Sequence, residues 1–171
     1  LAALATLKAI AVNQVSSVWQ ASAALHVPPG HYFLGNNTLD ITHTLIIEGD
    51  GHGRQAGGQA SMLRWSAGTT GIRVQGPATT GATGATAAGF NGGSGSIIRG
   101  LYLFGAFPPS GFVEAEAHGI HLRGVATIEN CVITQFQGDG IHGVAVAGGA
   151  PEGNANTAMI SNVNVNWCRT G

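Results

Sequence analysis

The stretch ATIENCVITQFQGDGIHG, running from Ala126 to Gly143, decides the fold. In its first half, apolar positions alternate with polar ones, which marks a strand with one face in a core. It closes with a small turn and a second short strand that begins Gly-Ile-His. The first half recurs as SIIRGLYLFGAF from Ser96 and as AMISNVNVNWCR from Ala158. Ile98, Ile128 and Ile160 correspond, then Leu101, Cys131 and Val163, then Leu103, Ile133 and Val165. The second half recurs as GIRVQG from Gly71, GIHLRG from Gly119 and GIHGVA from Gly140. There the alternation turns Ile72, Val74, Ile120, Leu122 and Ile141 inward, and it turns Arg73, His121 and His142 outward at equivalent places. A chain that writes strand, turn and Gly-Ile-polar strand about every 30 residues gives each copy the length of one turn of a stacked-strand solenoid. The reading is a parallel β-helix, one coil per copy.

Upstream, VPPGHYFLGNNTLDITHTLIIEGDGHG, from Val27 to Gly53, has the same short alternating strands. They are broken by Pro-Pro-Gly, Gly-Asn-Asn and Gly-Asp-Gly, residues that preset or tolerate turn conformations. The tract GPATTGATGATAAGFNGGSG, from Gly76 to Gly95, has almost nothing apolar to bury and reads as an exposed loop between coils. Residues 1–26 differ in character. Leu1, Leu4, Leu7 and Ala11 fall at helical spacing, so a short amphipathic helix or cap is expected there, with the solenoid over 27–171.

Length and composition bound the function. A chain of 171 residues holds one domain. Lys and Arg total 7 against 8 Asp and Glu, a net charge of -1, which gives no broad field for nucleic acid or an anionic membrane. No apolar run reaches membrane-spanning length, and Leu1 to Ala11 lacks the basic start of a signal peptide. The two cysteines, Cys131 and Cys168, occupy different places in the repeat, so no disulfide is expected.

The segment from Val27 to Gly51, followed by repeats of the Ile-x-Asn-Cys-x-Ile and Asp-Gly-Ile-His kind, resembles the right-handed parallel β-helix of the pectate-lyase-like superfamily. The likeness spans Val27 to Gly171. LATLKAIAVN, from Leu4 to Asn13, resembles a segment that often precedes the β-helix of phage tail-spike and tail-fibre proteins. These resemblances imply a virion-tail or cell-surface protein, usually a homotrimer and sometimes joined to other tail proteins, that binds or depolymerises a host polysaccharide. Two alternatives stand beside it: a bacterial polysaccharide lyase or glycoside hydrolase of the same fold, and a structural surface module with no glycan site. Such β-helices usually have more coils. Thr170-Gly171 aligns with His118-Gly119 and Asp139-Gly140, so a longer solenoid with an open C-terminal end is expected.

Candidate site residues follow from the repeat. If their coils are neighbours, Arg73, His121 and His142 form a ladder with Arg123 beside it, suited to a sugar chain because arginine binds a carboxylate in two-pronged fashion. A solvated sheet face would leave the same row. Glu114 and Glu116 lead into the His121 strand, and Asp139 leads into the His142 strand. Paired carboxylates are the machinery of glycoside hydrolysis. No cluster of aspartates suggests calcium. His118 and His121, three apart on a strand, should face opposite ways, and no zinc motif is present, so no metal or cofactor is expected. Tyr102 and Phe104 alternate with inward Leu101 and Leu103 and should face outward, as a subunit interface would require.

Overall fold

The structure is a computed structural model and describes residues 23–41, 44–53, 60–74, 95–106, 117–144 and 158–169. Residues 1–22 of the helix or cap expected over 1–26, most of the 76–95 loop, and Glu114 and Glu116 lie outside the described residues. Among the described residues the elements are all strands, and every pairing is parallel. The strands are β1 (Ala23–Val27), β2 (Gly30–Gly35), β3 (Leu39–Ile41), β4 (Leu45–Gly49), β5 (Ser61–Trp65), β6 (Ile72–Val74), β7 (Ser96–Arg99), β8 (Tyr102–Phe104), β9 (Ile120–Leu122), β10 (Ala126–Thr134), β11 (Ile141–Gly143) and β12 (Met159–Asn166). Pairing begins at Ala23, so the strands reach into the segment expected to be a cap.

The order of pairing repeats every three strands. β1, β4 and β7 are neighbours, as are β2, β5 and β8, and both rows meet β10 in one sheet. The third row, β3-β6-β9-β11, forms a separate sheet. The first half of β10 pairs with β7 and the second half with β8, because β10 runs unbroken through the corner that separates those two strands. Backbone conformation makes the corner. Gly100, Asn130 and Asn162 hold equivalent positions after the paired Arg99, Glu129 and Ser161, and all three have positive φ, at 67°, 53° and 49°. Asparagine tolerates that conformation better than most side chains. The Asn162 amide also donates to Asn130 Oδ1 at 2.7 Å, tying successive corners together.

The register matches the repeat read from the sequence: Ile98 lies opposite Ile128, Ile128 opposite Ile160, Cys131 opposite Val163, and Leu103 opposite Ile133. Ile47, Ile98 and Ile128 are fully buried in one stacked column, and Leu63, Leu103 and Ile133 form a second. Ile72 and Ile120 stand in a third, which the partly buried Ile141 extends. Cys131 and Cys168 are both free thiols. Tyr102 and Phe104 sit half-exposed between buried neighbours, their rings stacked with centroids 6.4 Å apart.

Candidate functional site

The site lies on the β3-β6-β9-β11 sheet. Its strands are short, and β6, β9 and β11 each follow a glycine, Gly71, Gly119 and Gly140, where a neighbouring backbone or side chain comes close. A Cβ on Gly71 would lie 2.5 Å from the Gly119 carbonyl oxygen, and one on Gly119 would lie 2.5 Å from that of Gly140. The ladder is continuous: the Ile72 amide donates to Gly119 O at 3.0 Å and the Ile120 amide to Gly140 O at 2.9 Å. Asp40 therefore lies opposite Arg73, Arg73 opposite His121, and His121 opposite His142. The three residues expected to form a ladder are on adjacent strands. Asp40, which the sequence reading passed over, extends the row and takes Arg73 Nη1 at 3.3 Å.

Two expectations are corrected. His121 points away from the apolar core but is only 3% exposed, because the rings of His118 and His142 lie edge-on against it, each with its centroid 5.2 Å away. His118 and His121 do not face opposite ways. His118 precedes Gly119 and lies outside β9, so strand alternation does not govern it. Its ring stacks on that of His142 at 4.1 Å, with the planes 9° apart.

Asp139 meets both of these rings. Its Oδ2 lies 2.6 Å from His142 Nδ1 and 3.7 Å from His118 Nδ1, while its backbone amide donates to His118 Nδ1 at 3.0 Å. Of the three carboxylates proposed from sequence, Asp139 is the one the structure describes. The repeat carried a signal for this meeting, since His118-Gly119 and Asp139-Gly140 align.

Electrostatics set the face apart. Burial, with the charges of His118, Arg123, His142 and Arg73 around it, lowers the His121 pKa to about 4, so its imidazole is neutral at pH 7. Arg73 Nε, Arg123 Nε and both ring nitrogens of His121 are buried with no hydrogen-bond partner among the described residues. A buried polar group left unmade costs about 1–3 kcal/mol.

No family model matches the sequence, and no curated protein or solved structure is significantly similar to it. Among the described residues no helix is long and apolar enough to cross a membrane.

Proposed function

We propose that the chain is a right-handed parallel β-helix whose β3-β6-β9-β11 face recognises an acidic polysaccharide on a host surface. That is the role of a phage tail-spike-like or other virion-tail or cell-surface protein. The observation that supports this reading is the row of Arg73, His121 and His142 on adjacent parallel strands, with Arg123 two residues after His121. Strands about 4.8 Å apart repeat on the scale of a sugar unit, and guanidinium groups pair with uronate carboxylates through charge-assisted hydrogen bonds. The half-exposed Tyr102 and Phe104 are the surface we assign to subunit contact in a homotrimer.

The test is calorimetric titration with uronate-bearing oligosaccharides and with neutral ones of equal length. Saturable binding of the acidic series, weakened by salt and weakened about ten-fold or more in Arg123→Gln, is the expected result, since a hydrogen bond to a charged group contributes roughly 1.5–3 kcal/mol. Equal affinity for both series, or an unaffected variant, refutes the reading. The 2.6 Å contact between Asp139 and His142 favours a second reading, an enzyme of the same fold. In that reading the carboxylate orients His142 as a base toward the bound sugar. Release of shorter chains from an acidic polysaccharide, abolished in His142→Gln, distinguishes it.

A further inference from the structure

Four side chains of this face come from one short phrase written twice. His118-Gly119-Ile120-His121 is stacked on Asp139-Gly140-Ile141-His142, with Ile120 opposite Ile141 and His121 opposite His142. Each copy places one ligating group just before its glycine and another just after its isoleucine, and the parallel register superposes the copies. His118, Asp139 and His142 each present a ligand atom, and these atoms lie within 4.8 Å of one another. His121 stands edge-on to both histidine rings, buried, with neither nitrogen hydrogen-bonded among the described residues.

We propose that His118, Asp139 and His142, with the ring of His121 edge-on beside them, bind a divalent transition-metal ion of the zinc class. The donor set selects the ion. Imidazole nitrogens suit zinc, cobalt and nickel, whereas calcium takes six to eight oxygens and this cluster has one carboxylate. Tetrahedral zinc with bonds of about 2.0–2.1 Å holds neighbouring donor atoms about 3.3 Å apart. Asp139 Oδ2 stands at 2.6 Å from one imidazole nitrogen and 3.7 Å from the other, so the required spacing falls between distances already present. The ion takes the place of the proton between Asp139 and His142, and His118 Nδ1 exchanges the Asp139 amide for the metal. The stacked rings splay so that both lone pairs converge, a change confined to side-chain torsions while the ladder bonds hold Gly119 and Gly140 in place.

The inference does not rest on the glycan reading, and its test contains no sugar. The chain is stripped with a chelator and titrated with Zn²⁺ by calorimetry, and separately with Co²⁺ by visible absorption. One equivalent of Zn²⁺ binds, and Co²⁺ gives the intense visible bands of a four-coordinate ion. His142→Gln and Asp139→Asn each weaken binding about 100-fold. Far-UV circular dichroism establishes that each variant is folded. Asp139→Asn, nearly isosteric and at a partly exposed position, carries the test if His142→Gln unfolds. Absence of saturable binding overturns the proposal. So does binding of unchanged affinity in the folded variants, which would put the ion on histidines such as His26, His31 or His52.

Discussion

Truncating Ile128 to alanine tests the stacked architecture directly, because the same place in the repeat occurs in a second setting. Ile128 is fully buried in β10, with Ile98 paired on one side and Ile160 on the other. Ile160 holds the equivalent position in β12 and is 53% exposed. Removing three carbon groups from Ile128 forfeits about 2.4 kcal/mol of transfer free energy at about 0.8 kcal/mol each. The cavity left between two neighbouring strands raises the cost to about 3–4 kcal/mol. At Ile160 roughly half of the transfer loss applies and no enclosed cavity forms, so the cost is about 1 kcal/mol. For a chain of this size each kcal/mol moves the melting temperature by about 2–4 °C, so Ile128→Ala melts about 10 °C lower and Ile160→Ala about 3 °C lower. Thermal and urea unfolding followed by circular dichroism read both variants. Equal shifts, or a loss below about 1 kcal/mol for Ile128→Ala, would refute the placement of these side chains in one inward column.

Two further outcomes follow from the same geometry. Burial pushes the Cys131 thiol up to about 11 from its ordinary 9.0, so the folded chain resists iodoacetamide at pH 8 at this residue. The raised value means that the unfolded chain loses its proton first as pH rises. The contribution is fully present below pH 9 and is lost by about pH 11, a fall of about 3 kcal/mol that Cys131→Ala should lack when unfolding is measured across that range. At the corner of β10, Asn130→Ala must adopt a φ of 53° and gives up the bond from Asn162, a loss of about 1–2 kcal/mol, whereas Asn130→Gly keeps the conformation and loses less. Chemical denaturation that ranks the glycine variant below the alanine one would overturn that account.

The sequence by itself determined the register. A side chain that alternates in and out has no freedom to slip by one residue without turning its apolar set to the wrong face. Ile98, Ile128 and Ile160 could therefore be aligned before any pairing was known. The ladder of Arg73, His121 and His142 followed from the same periodicity. What the tertiary structure decided lies off that period. His118 sits before the strand, at a residue whose direction is set by the turn through Gly119, so the two-residue rule misplaced it. Alternation told which side of the sheet His121 faces, but its burial depends on the rings that His118 and His142 lay against it. Asp139 meets those rings because two copies of one phrase stack, bringing residues 118 and 139 together across the strand spacing. Local pattern fixes which way a side chain points along its own strand, and only the superposition of neighbouring strands fixes what it meets.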